Sequence, residues 1–171
     1  MPKIIRDGAI VEDQWLAFGD DIAALLPSAN DAPHLIVPLK LWQARREELL
    51  ARGGSLGLLL HTNDEPAPFS SDVSIFALIA IQFDKFTDGR GYSLARLLRD
   101  RYGFRGELRA VGDVLQDQLF YLMRSGFNAF AIRADKNIDV ALKSLNDFSE
   151  TYQGAWDQPL PLFKRRQAAG A

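Results

Sequence analysis

Between residues 81 and 103 the sequence reads IQFDKFTDGRGYSLARLLRDRYG, and its centre, Asp88-Gly89-Arg90-Gly91, sets a carboxylate, a guanidinium and two glycines ahead of a helical pattern. Glycine there permits positive φ and close backbone approach. With Ser93 as helix N-cap, the free N–H groups of the first turn, the helix dipole and the Arg90 side chain make a site for phosphate, sulfate or carboxylate. The same residues have a plainer use, because Arg90 can pair with Asp88 and simply brace the turn. Neither a dinucleotide fingerprint nor a P-loop is present. The first needs glycine where Leu94 stands, and the second needs Gly-Lys-Ser/Thr after four spacer residues.

Two further strand-to-helix junctions carry similar chemistry. ELRAVGDVLQDQL places Gly112 and Asp113 at the end of an apolar run, with Asp113 expected to cap the next helix and Asp117 and Gln118 one turn on. Within that run Leu108 and Ala110 point one way and Arg109 and Val111 the other, so Arg109 needs a carboxylate partner such as Glu107. NAFAIRADKN ends its run at Arg133 and continues through Asp135 and Lys136. If the strands are parallel, Asp88, Arg90, Asp113, Arg133, Lys85 and His61 converge on one sheet edge, where Asp88 or Asp113 is placed to act as base and Arg90 or Arg133 as clamp. A self-satisfied salt-bridge network is the alternative. No Ser-His-Asp set can be drawn from these junctions.

The elements that position these residues follow from periodicity. KIIRDGAIVEDQW has two β-prone runs around Asp7-Gly8, a two-residue hairpin signal, and a short helix is expected over Asp20 to Leu26, ahead of a polar turn from Ser28 to Pro33. Apolar runs at His34–Pro38, Ser55–Leu60, Ala77–Phe83, Glu107–Val111 and Asn128–Ile132 read as strands, and helical patterns separate most of them. Leu94, Leu97 and Leu98, then Leu115, Leu119, Leu122 and Met123, then Ile138, Leu142 and Leu145 form the inward stripes, with Gly103 and Gly126 just past two helix ends. The fold class is α/β: a mainly parallel sheet of about five strands, open or partly barrel-like, preceded by a β-hairpin. One domain spans 1–171, with the hairpin in 1–15, the βα core in 34–149 and an extended arm in 152–171.

Composition narrows the function classes. With a net charge of −2 and scattered basic residues, the chain lacks the electrostatic footprint of a nucleic-acid binder. No apolar run approaches a bilayer span and the first residues lack a signal-peptide block, so the expectation is a cytoplasmic protein without membrane contact. The absence of cysteine removes disulfides, iron–sulfur ligation and thiolate zinc sites, and two histidines are too few for a histidine-rich metal centre. No cofactor and no metal is expected.

The strings FDKFTDGRGYSLARLLRDRYGFRGELRAVGDVLQDQLFYLMRSGF and PLFKRR resemble a bacterial family of unknown function, to which a role as oxidoreductase in sulfite reduction is attributed because its genes lie beside those of sulfate assimilation. The match is specific over residues 83 to 130, with weaker echoes at Val37-Pro38-Leu39, Trp42 and Pro161-Leu162-Phe163. The resemblance marks Asp88, Gly89, Arg90, Gly91, Tyr92, Ser93, Arg109, Gly112, Asp113, Asp117 and Gln118 as motif positions. It implies an accessory to sulfite-reducing enzymes, because sulfite reductase's own haem and iron–sulfur centre is held by thiolates that this chain lacks. Similar sequences often carry cysteine where Ser125 precedes Gly126-Phe127, so no thiol chemistry transfers to that position.

Three readings stay open. One is an accessory protein of assimilatory sulfite reduction that binds a partner enzyme or small oxyanion. Another is an acid–base enzyme acting on an anionic metabolite. The last is a non-catalytic interaction protein whose C-terminal arm, around Trp156 and Phe163, docks on a second copy.

Overall fold

The computed structural model describes residues 2–17 and 33–169. The expected helix over 20–26 and nearly all of the turn after it lie outside them. Among the described residues a single eight-stranded sheet forms in place of about five strands, curled into a half-barrel and mostly parallel. Its strands are β1 (Lys3–Arg6), β2 (Ala9–Glu12), β3 (Leu16–Ala17), β4 (His34–Pro38), β5 (Ser55–His61), β6 (Leu78–Phe83), β7 (Glu107–Gly112) and β8 (Ala129–Phe130), arranged in the order β2-β1-β8-β7-β6-β5-β4-β3. Strands β3 to β8 run parallel in chain order, and the β1–β2 hairpin joins them antiparallel through β8. The higher count comes from this hairpin and the two-residue β3, which add to the five apolar runs.

The hairpin forms as its sequence demands, because Asp7 and Gly8 sit at φ of 50° and 76°, the two positive values a type I′ turn requires. Among the described residues the helices are α1 (Leu39–Ala51), α2 (Arg90–Asp100), α3 (Leu119–Arg124), α4 (Ile138–Ser144) and α5 (Leu162–Ala169). Short 3-10 helices occupy Ala67–Ile75 and Gln116–Gln118. The main core joins alternate strand residues such as Val37, Leu58, Ile81, Leu108 and Phe130 to Trp42, Leu98, Leu122 and Ala141 of the helices. A smaller cluster of Ile36, Leu78 and Ala80, with Trp15, Leu59 and Val111 against it, lies apart from it. This division follows the period-2 alternation of the strands.

Three expectations change. Ser93 is not an N-cap: α2 begins at Arg90 with Gly89 in the cap position, and Ser93 is an exposed residue of the first turn. Asp113 caps no helix either, since a turn and a 3-10 segment separate it from α3. The arm is not extended throughout, because it ends in α5. Pro161 reads as a breaker in sequence, yet its carbonyl accepts from the N–H groups of Lys164 and Arg165 and so starts that helix.

Candidate functional site at the carboxyl edge of the sheet

Parallel strands deliver their carboxyl ends to one edge, the usual ligand edge of such sheets. His61 ends β5, with Thr62 immediately after it. The loop Asp84–Asp88 follows β6, Asp113 follows β7, and Arg133 lies shortly after β8. The expected residues therefore do gather along one edge, and they do so in two separately bonded groups.

The first group centres on Asp88. Its carboxylate accepts from Thr62 Oγ1 at 2.6 Å, from Arg90 Nε at 2.9 Å and Nη2 at 2.7 Å, and from the Arg90 backbone N–H at 3.1 Å. The Arg90 guanidinium first, and then the Thr62 hydroxyl, hold the Asp88 carboxyl far below the usual carboxylate range, while Asp88 in turn raises Arg90. The pairing weighed from the sequence is thus present. Arg90 still leaves 65% of its side chain exposed, and its two guanidinium bonds to Asp88 use Nε and Nη2.

Of the two glycines of this turn only Gly91 is needed, and it acts by size, not by conformational freedom, for a Cβ on Gly89 would meet nothing within 4 Å. Gly89 and Gly91 are not among the positive-φ glycines, and a Cβ on Gly91 would stand 2.4 Å from Cζ of Phe83. Gly91 therefore lets the first turn of α2 lie directly on the Phe83 ring. Positive φ is needed one junction later. Gly112 sits at 91°, and a Cβ there would meet the Phe83 carbonyl oxygen at 2.4 Å. That close approach lets the Asp113 N–H donate to the same oxygen at 2.7 Å.

The second group centres on Asp113, which accepts from the Phe86 backbone N–H at 3.0 Å and from Arg133 Nη1 at 2.9 Å. These donors, the Phe86 amide foremost, lower the Asp113 carboxyl. Arg133 spends Nε and Nη2 on Asp135, so each of its nitrogens is engaged. Gln118 Nε2 donates to the Phe86 carbonyl at 2.8 Å, while its Oε1 accepts from Leu115 N–H at 3.0 Å. Asp113 and Gln118 together hold both polar groups of residue 86, so the β6 loop is pinned to the junction that follows β7.

Other expected residues stand apart. Asp117 is exposed and shares a cleft of about 440 Å³ with Lys136. Lys85 is exposed on the loop, and His61 Nδ1 lies 3.7 Å from Asp84. Arg109 is not at the edge. It is mid-strand with its side chain 2% exposed, bonding Glu107 as expected through Nε at 2.7 Å and also Asp13 through Nη1 at 2.8 Å. Its Nη2 lies 2.7 Å from the same Glu107 oxygen, outside hydrogen-bond alignment. Among the described residues no group of three or more potential metal ligands forms, and no helix is long and apolar enough to cross a membrane.

Three structural residues, Thr62, Asp13 and Arg99, stand outside the motifs. Thr62 lies 26 positions from Asp88, and nothing local marks it. Arg99 did leave a signal, for it follows Ala95 by four residues on the stripe that buries Leu94 and Leu98.

The fold and edge together define an α/β half-barrel whose strand ends carry braced ion pairs. Residues 57–163 match a bacterial protein family of unknown function, DUF934, and the chain belongs to that family. No curated protein matches it.

Proposed function

We propose that the chain is an accessory protein of sulfite reduction that works by binding a partner enzyme, and that it is not an acid–base catalyst. The observation that carries this is the state of the two candidate bases. Asp88 and Asp113 are each bonded to an arginine and to a backbone amide, and both are held below the ordinary carboxylate range. A general base is effective when its pKa lies near working pH, so carboxylates held this low are poor proton acceptors. The same bonds make the edge a rigid support, which favours recognition. The tie to sulfite reduction rests on the resemblance of residues 83–130. Purifying the sulfite-reducing assembly with and without the chain tests it: co-association and a fall in sulfide production without the chain are expected, whereas absent association with unchanged production would contradict it.

A second reading, small-oxyanion binding at Arg90, is favoured by that residue's exposed guanidinium on the turn of Gly89, Gly91 and Ser93, although the Arg90 and Tyr92 amides are already spent on Asp88 and Gly89. Asp88 and Asp84 both act electrostatically on Arg90, so an anion must compete with them. Asp88→Asn should therefore tighten sulfite or sulfate binding and Arg90→Ala should abolish it, as read by calorimetric titration. Equal affinity in both variants would remove this reading.

A further inference from the structure

The arm following α4 is fixed to the domain, yet it leaves its large apolar side chains outside. Two guanidiniums lie over Trp156, with Arg99 Cζ 5.5 Å and Arg105 Cζ 4.9 Å from its ring centre, and its backbone N–H donates to the Arg124 carbonyl at 3.0 Å. Arg165 secures the far end, donating to Glu150 and to the Thr151 carbonyl, each at 2.7 Å. Around these anchors Phe148 is 56% exposed, Tyr152 69%, Leu160 51% and Phe163 50%, and Tyr121 of α3 adds 58%. Two clefts, about 490 and 270 Å³, adjoin here and share Tyr152 and Gln153 as a common wall. Phe163 lines the first, and Phe120, Tyr121 and Phe148 line the second. A folded surface seldom leaves this many large apolar groups together without an occupant.

The rim identifies the chemistry of that occupant. Arg96 lines the first cleft and Arg124 the second, but each is already paired, with Asp100 at 2.8 Å and Asp157 at 3.4 Å, so the charge open to a partner lies on α5. Arg166 stands three residues beyond Phe163 on α5, hence on the same helical face, and is exposed, as is Lys164. Glu150, the acid of the second cleft, is already paired with Arg165. A symmetric pairing of two copies through this face would bring the unpaired Lys164 and Arg166 of both copies together. A partner bearing carboxylates around one or two large apolar side chains would satisfy both rim and clefts.

We propose that the arm face is a docking site for an acidic segment of another protein, anchored by aromatic or leucine side chains in the two clefts. This rests on reading the chain as a binding accessory, and it supplies the surface for that binding. The anchored arm is ordered before any partner arrives, which lowers the entropic cost of association.

A displayed library of random twelve-residue peptides, selected on the full chain, tests the proposal. Enrichment of Asp and Glu together with Phe, Trp, Tyr or Leu is expected, and selected peptides should bind at least about tenfold more weakly to the Tyr152→Ser/Phe163→Ser double variant. The Lys164→Glu/Arg166→Glu variant, which alters only exposed charges, should lose binding similarly and keep its melting temperature, so the test survives if the first variant unfolds. Peptides that lack acidic residues, or that bind both variants as well as the parent chain, would overturn the proposal. So would a concentration-dependent dimer in light scattering that the double variant abolishes. If co-association with sulfite-reducing enzymes persists in both variants, this surface is wrong while the accessory reading stands.

Discussion

Helix α2 carries an arginine in its first turn and another in its last, and the two have opposite duties. Arg90 is largely exposed and pairs with one carboxylate two residues away. Arg99 is 4% exposed, and its guanidinium donates to the carbonyls of Phe104, Gly106 and Gly126 and to Asn128 Oδ1 while lying over the rings of Phe104 and Trp156. Three stretches of chain thus close on one planar cation, whereas Arg90 closes only its own turn. The residue type is the same; burial and the number of dependent acceptors decide which is architecture and which is available to a partner.

The largest expected effect comes from removing the buried member. Arg99→Ala should strand several carbonyls and loosen Trp156, costing about 3 kcal/mol or more and lowering the melting temperature by roughly 10 °C. Arg99→Lys should not restore it, because one ammonium cannot reproduce a fork of donors. A calorimetric scan decides, and an unchanged transition in Arg99→Ala would erase the contrast.

Gly91, between the two arginines, gives the next effect. Gly91→Ala forces a methyl into the Phe83 ring and should cost about 1–3 kcal/mol by overpacking, with recovery when Phe83 is replaced by Leu. A double-mutant cycle in denaturant measures the coupling; additivity would mean that the ring does not fix this turn. Smallest is Arg90→Ala, which should keep its melting temperature within a few degrees, as expected for an exposed ion pair. If the exposed guanidinium engages a partner or anion, the same variant lowers sulfite-dependent growth at least about tenfold. A marked loss of stability would make Arg90 a brace like Arg99.

These features were unequally legible in the sequence. Local chemistry came through: Asp7-Gly8 specified its hairpin, the apolar runs specified β4 to β7, and the alternation around Arg109 pointed to Glu107. Long-range pairings did not. Asp13 reaches Arg109 across 96 positions and Thr62 reaches Asp88 across 26, and no periodicity encodes such meetings. The run 128–132 shrinks to the two paired residues of β8, because hydrogen bonding to neighbours sets strand length and apolarity does not. At the edge, residue types correctly indicated a gathering of charges, but whether those charges were free or already paired depended on rotamers that only the folded chain defines.

If the edge carboxylates are structural anions, their titration shows it. A carboxylate whose pKa is depressed on folding contributes stability above its unfolded value, near 4, and loses that contribution as pH falls through the folded value. The pairs at Asp88 and Asp113 should therefore persist unchanged from pH 8 down to about 4. Carbon-detected NMR of the side-chain carboxyls, assigned through Asp88→Asn and Asp113→Asn, should find both groups still ionised at about pH 4. A midpoint at about pH 6 or above for either residue would instead restore that carboxylate as a working base.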